Sequence, residues 1–172
     1  TVDSNTATVT ITVNAVNDAP TTGGDINAST NEDTAVDITM SGTDVDGDNL
    51  TYHPDAPNSE HGSASLSGSV LTFTPTADWN GTTTLNYKVN DGALDSNTSV
   101  ITITVNAVND APIIIPAANN GTTTMSEDGS MNEEFTATDI DGDDVTFSIV
   151  TNPAHATITN FTNDDPDCPG NC

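Results

Sequence analysis

"TVDSNTATVTITVNAVNDAP", Thr1 to Pro20, returns as "ALDSNTSVITITVNAVNDAP", Ala93 to Pro112, with 15 of 20 positions identical. The copies stand 92 positions apart. Further on, "TDVDGDNLTY" (Thr43 to Tyr52) recurs as "TDIDGDDVTF" (Thr138 to Phe147), 95 positions later. A chain that repeats itself at this interval is built from tandem modules, and 92 to 95 residues is the size of a small β-sandwich domain.

Within one repeat the apolar residues alternate. Val36, Ile38 and Met40 lie two apart, as do Leu50 and Tyr52, then Leu71 and Phe73. Leu85, Tyr87 and Val89 follow, and then Ile101, Ile103 and Val105, with threonine at most of the intervening positions. Period-2 alternation in β-branched residues marks strands with one buried face. "DGD", "NG", "NDG" and proline-containing segments between the runs carry turn chemistry. The pattern predicts strands near 25–30, 34–41, 50–54, 62–66, 70–75, 82–90 and 98–107. Such strands, taken as antiparallel, form an all-β fold: tandem seven-stranded Greek-key sandwiches. Trp79 is expected to cap the core where the sixth strand begins. Residues 1–18 are read as the last strand and linker of a preceding repeat, 19–110 as a complete sandwich, and 111–172 as the first half of a following one. Glu133 takes the register position of Ile38, so a bulge or partial exposure is expected there.

The charge is lopsided. There are 26 acidic residues against a single basic one, Lys88, for a net charge of −25. Such a chain repels nucleic acid and anionic membrane surfaces, since phosphate binding depends on Lys and Arg. It has no apolar run of membrane-spanning length. His53, His61 and His155 are scattered, with no nucleophile or carboxylate pair to serve, so they read as surface or loop residues and the chain is not read as an enzyme. Asn-x-Ser/Thr sequons such as those at Asn80 and Asn120 matter only in a glycosylating host. Cys168 and Cys172 flank a Pro-Gly-Asn turn; they suit a local or intermolecular disulfide in an oxidising compartment better than two free thiols.

The acidic loop invites a cation. Asp44, Asp46 and Asp48 alternate, as do Asp139, Asp141 and Asp143, and Gly47 permits a tight bend. Calcium takes six to eight oxygen ligands and tolerates mixed carboxylate and carbonyl geometry. Crowded carboxylates without a cation repel one another. The loop is not an EF-hand: its glycine falls early, at the fourth position rather than the sixth, the twelfth position is Asp55 rather than glutamate, and strands flank it. The bland alternative is a set of solvated turns.

Three elements recur in order: the "VNDAP" linker (Val16 to Pro20, Val108 to Pro112), then Glu32–Asp33 or Glu127–Asp128, then the acidic loop. This order resembles the cadherin fold, and more closely the cadherin-like tandem repeats of large bacterial surface and secreted adhesins. The resemblance covers nearly the whole chain and implies calcium between successive domains. At the first junction it implies ligands from Asn17, Asp18, Asp44 and Asp46. At the second it implies Asn109, Asp110, Asp139 and Asp141, joined by Glu32 from the preceding domain, with Glu127 as the equivalent of Glu32 in the next repeat. Asp33, Asp48, Asp128 and Asp143 stay open between ligand and turn residue. Ala15 and Ala19, and Ala107 and Ala111, stand where cadherin linkers carry an aspartate and an asparagine, which implies one or two ions per junction.

The implied function is that of a calcium-stiffened repeat in a long extracellular surface or secreted protein, partnered by neighbouring repeats of its own chain. A filament subunit whose partial sandwich is completed by strands of neighbouring chains is the alternative. A carbohydrate-binding or enzymatic domain finds neither an aromatic platform nor a catalytic cluster.

Overall fold

The computed structural model describes residues 1–115, 124–131, 135–151 and 153–159. It divides into two compact units, Thr1–Ala107 and Val108–Cys172. Glu133, Cys168 and Cys172 lie outside the described residues.

The first unit is all β among its described residues: β1 (Thr21–Thr22), β2 (Ile26–Asn31), β3 (Val36–Thr39), β4 (Gly42–Thr43), β5 (Thr51–Pro54), β6 (Gly62–Ser67), β7 (Val70–Pro75), β8 (Gly81–Asn90) and β9 (Ser99–Asn106). A four-stranded sheet in the order β2-β9-β8-β5 packs on a three-stranded sheet in the order β3-β7-β6. The chain passes from β3 to β5, back to β6 and then from β7 to β8, changing sheet each time, so only β6–β7 and β8–β9 are hairpins. All thirteen alternating apolar residues picked out in the sequence meet between the sheets. Ile38, Met40, Leu71, Phe73, Leu85, Tyr87, Val89, Ile101, Ile103 and Val105 are buried, and Val36, Leu50 and Tyr52 pack against them. Burying each such side chain fully stabilises by about 1.5–3 kcal/mol before the entropy of ordering is subtracted. Trp79 packs on the edge of this core as expected and stacks on His61, ring centroids 4.4 Å apart and 16° from parallel.

One expectation needs correcting. β2 pairs with β9 in parallel, from Ile26↔Ile101 to Asn31↔Asn106, while the other strand pairs are antiparallel. The alternation of side chains fixes which face is buried and carries no information on strand direction. Direction is set here by a crossing. The first strand runs in β1 against β4, in the register Thr21↔Thr43 and Thr22↔Gly42, then shifts at Gly23–Gly24 to join the other sheet as β2. Gly24 has φ +100°, open to glycine. At Gly23 a Cβ would lie 1.9 Å from Ser41 Oγ, so a side chain there displaces Ser41. The Tyr87 hydroxyl donates to the Gly24 carbonyl at 2.8 Å and holds the crossing in place.

Parallel pairing of the first and last long strands gives the unit two poles. The chain enters through Pro20 at the N-terminal pole, where the β4–β5 loop and the β8–β9 turn also lie. It leaves after Asn106 at the C-terminal pole, where Glu32 donates its N–H to the Asn106 carbonyl at 2.9 Å. Residues 1–19 are exposed and belong to no strand. Their near-copy in β9 is a strand because β2 and β8 flank it and take its backbone hydrogen bonds.

The second unit opens in the same way as the first. β10 (Ile113–Ile115) pairs antiparallel with β11 (Thr136–Thr138), and Ile113↔Thr138 and Ile114↔Ala137 repeat the β1–β4 register.

Candidate metal centre

The acidic loop is shaped by its first carboxylate. Asp44 Oδ1 accepts the N–H groups of Asp46 at 2.9 Å, Gly47 at 3.0 Å and Asp48 at 3.3 Å, folding the backbone around itself. Gly47 sits at φ +84°, the bend this wrap requires. With Oδ1 committed, Asp44 Oδ2 is turned into the loop, where it is buried and has no hydrogen-bond partner. An unsatisfied buried acceptor costs about 1–3 kcal/mol, and more when it is charged.

The linker is fastened to the same loop. Asp18 donates its N–H to Asp46 Oδ2 at 2.8 Å. Asn17 donates from Nδ2 to Asp91 Oδ2 at 2.9 Å and to the Asp18 carbonyl at 3.3 Å, which leaves Oδ1 as the oxygen its side chain can offer. Asp91 lies in the β8–β9 turn, where its Oδ1 accepts Ala93 N–H and Leu94 N–H at 2.7 Å each. The Leu94 N–H, then the Asn17 amide and the Ala93 N–H, hold the Asp91 carboxyl below its ordinary pKa of 3.8.

The second unit repeats the construction. Asp139 Oδ1 accepts the N–H of Asp141 at 3.0 Å and of Asp143 at 3.3 Å, with Gly142 at φ +78°. Asp110 donates its N–H to Asp141 Oδ2 at 2.7 Å, and Asn109 Nδ2 donates to the Asp110 carbonyl at 2.9 Å. The two loops differ at the glycine: the Gly142 N–H meets the Asp139 carbonyl at 3.4 Å, where the Gly47 N–H meets the Asp44 side chain.

The structure therefore gathers Asn17, Asp18, Asp44 and Asp46 at one pole, and Asn109, Asp110, Asp139 and Asp141 at the equivalent place in the second unit. Asp48 and Asp143 serve the wrap through their backbone N–H groups, and their side chains are exposed. Glu32 is buried at the C-terminal pole of the first unit, away from Asp44. Beside it Asp33 Oδ1 accepts the Asp78 N–H at 3.2 Å, both residues at φ +59°. Glu127 is exposed in a turn whose Asp128, at φ +60°, repeats the backbone of Asp33.

Sequence reasoning missed Asp91. "NDG" at Asn90 to Gly92 reads as a hairpin turn, and it is one. The missing signal is topological: β8 runs antiparallel to β9, so its end returns to the pole where the linker arrives. Of the histidines, His53 and His155 are exposed as expected, whereas His61 is half-buried and bonded to Thr83 Oγ1 at 3.2 Å. Lys88 lies 3.9 Å from Asp95 in an exposed pair that contributes little and leaves the acidic loops uncompensated.

The two extracellular-cadherin repeats of human protocadherin-24 (EC1-2) are similar over 72% of this chain and 62% of theirs, with 19% identity and a TM-score of 0.44. An endo-fucoidan hydrolase of glycoside hydrolase family 107 is similar over 56% of this chain and 15% of its own, with 21% identity and a TM-score of 0.44. A nucleoside hydrolase-related protein from Saccharophagus degradans, associated with carbohydrate metabolism, is similar over 54% and 26%, with 20% identity and a TM-score of 0.42. The chain thus spans less than two thirds of each of these structures. No curated protein matches its sequence. The family model for the bacterial Ig domain matches residues 17–104, just over half of the 172 residues and nearly all of the complete sandwich. The chain belongs to the bacterial Ig domain family.

Proposed function

We propose that this chain is a calcium-stiffened structural repeat of a long extracellular surface or secreted protein. Bacterial Ig domains are commonly found on such proteins and are typically not enzymes. No helix among the described residues is long and apolar enough to cross a membrane. The observation that carries the reading is Asp44: one carboxylate oxygen takes three backbone N–H groups while the other is buried without a partner. Asp18 and Asp46 stand beside it, in a chain with one basic side chain for 26 acidic ones. A cation relieves both the unsatisfied oxygen and the crowding of like charge. Oxygen-only donors on a flexible loop suit calcium better than magnesium, which demands near-ideal octahedral geometry and keeps its water.

The residues that would hold the ion at the N-terminal pole are Asn17, Asp18, Asp44, Asp46 and Asp91, and at its second copy Asn109, Asp110, Asp139 and Asp141. Bound there, calcium would neutralise facing acidic ends and fix the angle of a short linker. Extracellular modules of this kind bind with Kd on the order of 10⁻⁴ to 10⁻³ M.

Calorimetric titration with calcium, paired with small-angle scattering, tests the reading. Binding in that range with a lengthened, narrowed scattering profile is the expected result. No heat and an unchanged profile up to tens of millimolar would defeat it. Polymers that form with rising concentration in calcium-free buffer would instead favour completion by neighbouring chains.

A further inference from the structure

We infer that the free edge of β6 is a strand-addition site, and that its occupant is the stretch 8–13 of a second copy of this chain. The two layers of the sandwich are unequal. The larger sheet has four strands and the smaller three, and on one side they end at β5 and β6. Between these edges lies a cavity of about 320 Å³, lined by Tyr52 and Pro54 of β5, Ala64 and Leu66 of β6, and Leu71 of β7. Tyr52 and Pro54 thus face a position beside β6 where the smaller sheet has no fourth strand.

The edge itself is unguarded. β6 pairs with β7 alone, and its other side meets no strand. Natural sheet edges are protected by charge, proline or a bulge. Gly62–Ser67 reads GSASLS, with neither a charge nor a proline, and Leu66 is 45% exposed. Of the residues around the cavity Asp55 is acidic, and its carboxylate is taken up by Asn86 Nδ2 at 3.0 Å. A strand laid along β6 would continue the ladder and turn every second side chain into the cavity, against Tyr52 and Pro54.

Charge selects the occupant. Two copies, each with a net charge of −25, repel one another and can meet closely only through neutral surface. Residues 4–17 carry no ionisable side chain. Within them Val9, Ile11 and Val13 are 82%, 81% and 88% exposed and alternate with Thr8, Thr10 and Thr12. In the near-copy β9, the equivalents Ile101, Ile103 and Val105 are buried once strands lie alongside, so this sequence packs as a strand when an edge is offered. Residues 8–13 match the six residues of β6 in length. The contact joins two different surfaces, an edge on one copy and a free stretch on the next, so it propagates from copy to copy. A single short strand buries little area, which makes the association weak and reversible.

The site uses neutral surface rather than the acidic loops, so it stands or falls separately from the calcium reading. Sedimentation velocity on the full chain, from micromolar to millimolar in chelator and again in calcium, tests it. Mass should grow with concentration in both buffers. Leu66→Asp at the edge and Ile11→Asp in the free stretch should each weaken association about tenfold or more, because each would bury an unpaired charge. Val2→Asp adds the same charge outside the stretch and should change nothing. Mixing the two weakened variants should restore one-to-one pairs and nothing larger, since one keeps the edge and the other the stretch. Ile11 is exposed and outside the core, so Ile11→Asp decides the matter even where Leu66→Asp disturbs the fold. A monomer at every concentration overturns the proposal. So do polymers that survive Ile11→Asp, which are held elsewhere, and a mixture of folded variants that stays monomeric.

Discussion

Asp18 hands its backbone N–H to the Asp46 carboxylate at 2.8 Å, fastening the linker to a loop 28 residues further along the chain. Asp110 and Asp141 repeat the contact at 2.7 Å. The linker is thus seated on its own acidic loop by a neutral backbone donor, which takes one carboxylate oxygen of each loop.

Asp44 gives the sharpest prediction. Asp44→Asn keeps an oxygen able to accept the three N–H groups but removes the charge from the buried side of the loop. Calcium affinity should fall at least tenfold, roughly the scale of losing a group that supports a metal site. Without calcium the variant should unfold no earlier than the parent, because like-charge crowding is relieved. Urea melts with and without calcium check this. Equal destabilisation in both conditions would reduce Asp44 to a turn residue.

Calcium should also stabilise the fold by mass action. At a free concentration a hundredfold above Kd the gain is about 2.7 kcal/mol, read as a rise in the melting midpoint that chelator reverses. Magnesium at equal concentration should yield less.

Tyr87 sets an alkaline limit. Burial, and then the nearby Asp25 carboxylate, hold its hydroxyl above the ordinary value of 10.0. A raised folded pKa means stability that is complete below pH 10.0 and lost as pH climbs through the folded value. The parent should therefore weaken above that point. Tyr87→Phe should lose about 1 kcal/mol at neutral pH, with the hydroxyl bond to Gly24 gone, and show a shallower alkaline decline. Circular dichroism melts from pH 7 to 11 provide the measurement.

Two substitutions probe packing. Phe73 is fully buried at the centre of the core, and Phe73→Ala should cost about 3–5 kcal/mol. Gly62 faces that ring: a Cβ there would lie 2.5 Å from the Thr74 carbonyl and 2.7 Å from Phe73 Cζ. Gly62→Ala should cost about 1–3 kcal/mol through overpacking. At Gly47, with open space but φ +84°, alanine should cost only the roughly 1–2 kcal/mol of left-handed backbone. Chemical denaturation of the three variants separates ring loss, overpacking and backbone strain.

The sequence was most legible where a single period governs it. Every apolar residue chosen by alternation, from Val36 to Val105, lies in the sandwich, because a half-buried strand leaves that signature in its own residues. β1 and β4 escaped notice: two-residue pairings are too short to carry a period. The parallel β2–β9 pairing was equally invisible, since direction depends on a crossing pinned by Tyr87 from 63 residues away. At the acidic pole, Asn17, Asp18, Asp44 and Asp46 could be grouped because they recur as a set. Asp91 could not, because its contact with Asn17 spans 74 residues and its own surroundings already explain it as a turn.

The crossing at Gly23–Gly24 has a consequence for how this sandwich comes apart. One continuous segment pairs first with β4, which follows directly on the smaller layer's β3, and then with β9 in the larger layer, and a phenol rooted in that larger layer buttons down the seam. Neither layer can melt while the other stays whole without tearing that stitch. Heat should therefore find no half-open intermediate in this module, only a single cooperative collapse.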